Sequence, residues 1–487
     1  MKRLLFSFAY LMVANISLAQ NEFDVLRYSN LDFYGEARFN AMGGSFGALG
    51  ANMSGLSINP GGLGVYKSSD FSFTPSFHYN YTESELNGNL VSDGKLNFHF
   101  SNIGLVGNFR AGSGWESISL AIGYNRTSNY NTSISVKSST DSSALGSYVN
   151  ELNANGGIIE DDIFGAFPFS SSLAYQTFLV NPLSGNPLQY DHVFTNSTNL
   201  SQSTSYETRG GSGEMYFALG GNYNDKLYLG ALIGIPTVRY VYDRNYTETS
   251  ENSDTLTEFD SFTIHDHVQT TGSGVNFKLG MIYKATNWFR LGAAFHTPTL
   301  YSLADEYDSS INVERKDGTT FSDKSPHGSF NYLVSTPYRF IGSASIIMGN
   351  RGVINIDYEI IDYSSARLTQ DSEYSSNANF SIENRNIKDN FTATNNLRVG
   401  TELRFDPFRV RFGYRLQGNP LSSNFSEDNS ATIYSGGIGI KENGYYFDIA
   451  YSLKNFNSQT IVDANQNVFA TTSLKDHYIT FTLGFRF

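Results

Sequence analysis

The last ten residues, Tyr478-Ile-Thr-Phe-Thr-Leu-Gly-Phe-Arg-Phe487, decide the fold. They alternate without a break. Ile479, Phe481, Leu483, Phe485 and Phe487 fall on one side, and Tyr478, Thr480, Thr482, Gly484 and Arg486 fall on the other. A period of two with one apolar face is a β-strand lying half against an apolar medium. The same pattern recurs in Phe447, Ile449, Tyr451 and Leu453 against Asp448, Ala450 and Ser452. It recurs again in Phe408, Val410, Phe412, Tyr414 and Leu416 against Arg409, Arg411, Gly413 and Arg415. In a soluble sandwich these arginines would face water and the apolar set a core. In a membrane barrel they face the lumen and the apolar set faces lipid.

Loop lengths choose between the two. Fourteen strand candidates begin near residues 69, 95, 116, 206, 225, 264, 288, 334, 351, 393, 407, 431, 444 and 474. Even-numbered strands run into short Gly-, Asn-, Asp- or Pro-containing links: 111–115, 223–226, 284–287, 349–352, 405–408 and 441–444. These are tight-turn compositions. Odd-numbered strands run into longer polar segments, notably 131–205, 299–333 and 367–392. Sorting of loops by parity is the habit of a transmembrane barrel, with turns on the periplasmic rim and loops on the extracellular one. The expected fold is therefore all-β: a 14-stranded antiparallel transmembrane barrel over residues 69–487, with both termini periplasmic.

Composition agrees. The chain has 32 Tyr and 38 Phe but 2 Trp, a supply of strand formers suited to interfacial girdles. With 33 Lys and Arg against 46 Asp and Glu it is acidic, which argues against nucleic acid as a partner. It has no Cys, hence no disulfide framework and no thiolate chemistry. The sustained apolar run is N-terminal: Met1-Lys2-Arg3, then Leu4 to Ile16, then Ser17-Leu18-Ala19. A basic start, an apolar middle and a small-residue exit read as a secretory signal over 1–19, too short to span a bilayer.

Residues 20–68 differ in character. Gly35-Glu-Ala-Arg-Phe-Asn-Ala-Met-Gly-Gly-Ser-Phe-Gly-Ala-Leu-Gly50 and Ser57-Ile-Asn-Pro-Gly-Gly-Leu-Gly64 are rich in small residues and show no two-residue period. Their position before the first strand suits a compact plug inside the barrel.

Ala37-Arg38 through Met42-Gly43-Gly44 to Asn59-Pro60-Gly61-Gly62-Leu63 resembles the plug of the FadL/TodX family of outer-membrane transporters, with Gly61 where that family carries Ala. Thr336-Pro-Tyr-Arg-Phe340 with Ile356-Asp-Tyr-Glu-Ile-Ile-Asp-Tyr-Ser364 resembles the family's central hairpin. Arg398-Val-Gly-Thr-Glu-Leu403, Arg411-Phe-Gly-Tyr-Arg415 and Asn419-Pro420 resemble the hairpin after it. The resemblance implies a monomeric, plugged barrel in outer-membrane lipid that passes hydrophobic small molecules, such as long-chain fatty acids or aromatic compounds, without a cofactor. It also implies sideways release at a kinked third strand, although residues 116–130 carry no proline and no bulge signal.

Two sets of site residues follow as expectations. Phe33, Phe39, Met42, Phe46, Leu49, Met53 and Leu56 would line a ligand site or form the plug's own small core, and Asn59, Pro60, Gly61 and Gly62 form the plug motif. Asp357, Glu359, Arg398, Glu402, Arg404, Arg409, Arg411 and Arg415 would face the lumen as ion pairs bracing the wall or pinning the plug; an anion-selective pore is the alternative. Gly43-Gly-Ser-Phe-Gly47 lacks the strand–helix frame of a nucleotide loop. His265-Asp-His267 offers two imidazoles without a third ligand, so no metal is expected. No catalytic triad arrangement is present, so no enzyme is expected. A second functional class stays open: a non-transporting barrel subunit of an outer-membrane secretion or assembly complex.

Overall fold

The computed structural model describes residues 21–32, 34–194, 200–250, 258–371, 379–425, 428–463 and 468–487. The expected leader, residues 1–19, and Phe33 lie outside them.

Fourteen antiparallel strands close into one barrel. The first seven are Asp70–Leu86, Asn89–Arg110, Trp115–Asn129, Leu200–Tyr223, Leu227–Thr249, Phe259–Lys284, and Phe289–His296 continued by Leu300–Arg315. The other seven are Gly328–Ser335 with Arg339–Ile347, Gly352–Asp362, Ala393–Phe405, Phe408–Gln417, Ala431–Glu442, Tyr445–Asp463 and Val468–Arg486. First and last strands zip together from Asp70↔Arg486 to Glu85↔Thr471, so the sheet keeps no free edge there. The alternation read at the C-terminus is the alternation of the wall. Leu483 is 57% and Ile479 44% exposed, while Thr480 and Thr482 between them are buried. Exposed Phe, Leu, Ile and Tyr continue around the outer surface on nearly every strand. An apolar surface of that extent belongs in lipid, and a closed barrel satisfies its backbone there. Among the described residues no helix is long and apolar enough to cross a membrane.

Two expectations about loops need correction. The first strand ends in a two-residue turn, Asn87-Gly88, with φ of 52° and 80°, and the thirteenth is joined to the last by residues 464–467. Parity sorting therefore fails at these two hairpins. Asn-Gly accepts the paired positive φ values of a tight hairpin, so it closes the first one without a loop. Residues 299–333 are also mostly strand: Leu300–Arg315 pairs with Thr320–Lys324 and Gly328–Ser335 and lifts the seventh and eighth strands well beyond the lipid-facing band. Between the third and fourth strands, residues 141–194 fold into short helices and a hairpin. Leu145, Leu152, Ile163 and Leu173 pack there on Tyr246, Phe262, Ile311 and Val313 at the far ends of the fifth to seventh strands.

Candidate functional site: the inner segment and a seam in the wall

Residues 21–32 and 34–66 sit inside the barrel. Their first helix, Glu22–Ser29, starts in a capping box in which Asn21 and Asp24 satisfy each other's amides. Val25, Leu26 and Tyr28 of this helix pack against Tyr301, Leu303 and Tyr332 of the wall. Farther on, Asn59 caps the turn Pro60–Val65 through Gly61 N at 2.9 Å, with Pro60 at the first helical position where its missing N–H costs nothing. The Asn59 amide also donates to Gly47 O at 2.6 Å and to Met281 O of the sixth strand at 3.0 Å. The plug motif is thus a fastening between a turn and the wall.

Glycines in the wall make the fit. A Cβ at Gly280 would strike Asn59, one at Gly230 would strike Pro60 O, and one at Gly292 or Gly400 would strike the main chain at Gly47 or Met42. The inner segment rests on bare strand backbone at these points.

Phe39, Met42, Phe46, Leu49, Met53 and Leu56 are all buried. Phe39 and Phe46 pack ring to ring at 5.6 Å and join Met42 and Leu49 against Ile341 and Val353. Met53 and Leu56 pack against Val106, Tyr216 and Leu232. These six side chains glue the segment to the wall, and a ligand reaches them only if the segment moves.

The charged residues of the lumen are brought together, in pairings the sequence did not show. Glu402 accepts Arg411 at 2.8 Å and Arg38 of the inner segment at 2.7 Å, and Arg411 bridges on to Asp448 at 2.6 Å. Glu359 holds Arg339 at 2.9 Å and Arg398, and Arg339 also donates to Ser29 O at the end of the first helix. Asp357 binds backbone instead: it accepts the amides of Phe46 at 2.9 Å and Gly47 at 3.1 Å. Arg415 reaches Asp32 at 3.8 Å, which Lys454 approaches to 2.9 Å. Burial raises the Asp32 carboxyl, but Lys454 and Arg415 outweigh it and hold the group down at about 2. Arg409 stands apart from this grip, and Arg404 joins it only through Glu402. Arg404 sits at the rim, 3.2 Å from Glu402, and Arg409 pairs with Asp406 of the adjoining turn at 2.5 Å. Asp32, Arg38, Arg339, Asp448 and Lys454 were missed by sequence reasoning.

The wall parts between the second and third strands. The second strand pairs with the first along its whole length, from Asp70↔Val106 to Leu86↔Asn89. Its pairing with the third strand runs only from Arg110↔Ser117 to Asn102↔Asn125. Beyond that point the third strand shifts register between Arg126 and Ser128 and turns inward. Its carbonyls at Arg126 and Thr127 then accept the amides of Tyr34 at 3.0 Å and Asp32 at 2.8 Å, so the inner segment replaces the second strand as partner. The chain continues as Thr132–Thr140 across the inner face of the first two strands, where Ser133 Oγ donates to Asp93 at 2.8 Å and Thr82 Oγ1 donates to Ser133 O at 2.7 Å. Residues 89–101 of the second strand therefore keep a free edge, and a seam opens between the two overlapping layers. Asn102 and Asn125 close its lower end at 2.7 Å, and Asn125 also donates to Ser57 of the inner segment at 2.9 Å. Lys95 latches its upper part to Glu207 of the fourth strand at 2.6 Å. The third strand, read over 116–130 as carrying no bulge signal, has this register shift between Arg126 and Ser128. The available signal was Arg126, which follows Ile118, Leu120, Ile122 and Tyr124 on the lipid side of the alternation. A cation there costs about 2–4 kcal/mol at mid-membrane, so the strand had to leave the wall.

Solved structures share this architecture. The toluene transporter TodX of P. putida superposes with a TM-score of 0.53 at 12% identity, covering 94% of this chain and 99% of that one. This is the fold of the FadL/TodX barrels. A Pseudomonas aeruginosa FadL homologue matches with a TM-score of 0.52 at 12% identity, covering 93% and 98%, and the CymD monoaromatic hydrocarbon channel with 0.50 at 13%, covering 94% and 98%. No family model and no curated protein matches the sequence.

Proposed function

We propose that the chain is an outer-membrane channel for hydrophobic small molecules, such as long-chain fatty acids or aromatic hydrocarbons, and that it is not an enzyme. The rim where the first strand begins and the last strand ends faces the periplasm, the inner segment is a plug that keeps water and ions out, and cargo leaves sideways into the bilayer through the seam. The observation that carries this reading is the parted ladder above Asn102↔Asn125, while the first and last strands pair from Asp70↔Arg486 to Glu85↔Thr471. An apolar solute gains about 25 cal/mol for each Å² it keeps from water, so a route from lumen to lipid past Leu96, Phe98 and Phe100, all exposed on the free edge, holds it throughout. The fold shared with barrels described as toluene transporter and monoaromatic hydrocarbon channel supports the same reading.

Cells making the barrel should take up labelled toluene or oleate faster than cells without it. Equal uptake of both would overturn the proposal. The second reading, a non-transporting subunit of a larger membrane complex, draws on the cap over 141–194, which exposes Ile159, Phe164 and Phe178 outward. A stoichiometric protein partner at that cap, together with absent uptake, would favour it.

A further inference from the structure

At the rim where the first strand begins and the last strand ends, a pocket of about 210 Å³ lies between the inner segment and the tenth to fourteenth strands. Six cationic side chains line it: Arg38, Arg404, Arg409, Arg411, Lys441 and Arg486. Glu36, Glu402 and Asp448 are the carboxylates in its lining. These carboxylates are oversubscribed. Glu402 serves Arg38, Arg411 and Arg404 at once, and Asp448 takes the second branch of Arg411. Arg486 leans out to Asp70 at 2.8 Å through Nε alone. Lys441 makes no ion pair among the described residues. Burial and the nearby Asp70 raise the Glu36 carboxyl to about 7, so it carries less than a full negative charge near neutrality.

The pocket thus gathers more guanidinium and ammonium donors than it has acceptors, on a surface open to solvent. Such a fork of donors fits a ligand with several oxygens around one centre, since two parallel N–H···O bonds to each guanidinium give both strength and orientation. We propose that this pocket binds a phosphate or carboxylate group, held by Arg404, Lys441 and Arg486 with Arg411 behind them. The group arrives either as a free anion or as the headgroup of an amphiphile. The proposal goes beyond passage of cargo and stands whether or not the seam conducts.

Purified barrel in neutral detergent would be titrated calorimetrically with inorganic phosphate and separately with decanoate, at an ionic strength fixed by sodium chloride. Saturable one-site binding is expected, weakened about tenfold by Lys441→Gln and by Arg404→Gln, the loss of one charge-assisted hydrogen bond each. Both side chains are reachable from solvent and neither makes a hydrogen bond or ion pair to the described inner segment, so the barrel should assemble, as heat-modifiable gel mobility would verify. Tighter binding of phosphate identifies a free-anion site, and tighter binding of decanoate a headgroup site. Absence of saturable heat with both probes, or affinities unmoved in both variants, would overturn the proposal.

Discussion

Asp357→Ala removes a carboxylate that grips the inner segment by its main chain. In the intact protein its two oxygens accept the amides of Phe46 and Gly47, at 2.9 and 3.1 Å, and Asn355 Nδ2 at 2.8 Å, all away from water. Alanine leaves both amides without that acceptor. A buried donor stripped of its partner costs about 1–3 kcal/mol, so the two together weaken docking by about 2–6 kcal/mol. The wall should survive, because residue 357 keeps its backbone pairing with Ser343 and Arg398. The loss therefore falls on docking rather than on the barrel. Limited proteolysis should cut within residues 21–66 of the variant while the strands stay protected, and planar-bilayer recordings should show ion conductance that the intact protein lacks. Asp357→Asn, which keeps one acceptor oxygen, should fall between the two. An uncut segment and an unchanged, closed trace in Asp357→Ala would refute the reasoning that this carboxylate holds the inner segment.

Gly230→Val drives a side chain onto Pro60 O, and overpacking of this kind costs about 1–3 kcal/mol. The variant should release the Pro60–Val65 turn from the wall, seen as faster amide exchange there, whereas unchanged exchange would count against the close fit. Glu36 gives docking a pH dependence whose sign is fixed by its raised carboxyl. Stability is full below the ordinary value of 4.5 and is lost as pH rises through about 7. Protection from proteolysis should accordingly be greater at pH 5.5 than at pH 8, and Glu36→Gln should remove that difference. A variant that keeps the full difference would place the titration elsewhere.

The barrel was legible because lipid enforces the two-residue period on every strand, and the C-terminal run from Tyr478 to Phe487 shows it without interruption. Asn87-Gly88 was equally legible as a hairpin, and was missed because parity was given more weight than turn chemistry. Inward-facing charges such as Arg411 could be placed on a face, but their partners could not. Arg38 and Glu402 lie 364 residues apart, and nothing local to either announces the other. The six apolar plug residues could be read as a ligand lining or a small core, because burial against a wall leaves the same composition as burial against a ligand. The seam was written in one misplaced residue, Arg126, whose meaning depends on knowing which face meets lipid.

The proposed way out is the seam between the second strand and the inward-turned chain. Because the chain has no cysteine, the pair Asp93→Cys and Ser133→Cys, whose native side chains meet at 2.8 Å, would place a single disulfide across the overlap. Uptake of labelled toluene or oleate would be measured in the oxidised variant and again after reduction. Uptake should be lost when the seam is locked and recover when the bond is reduced. Equal uptake in the two states, with the disulfide verified by mass, would contradict that route.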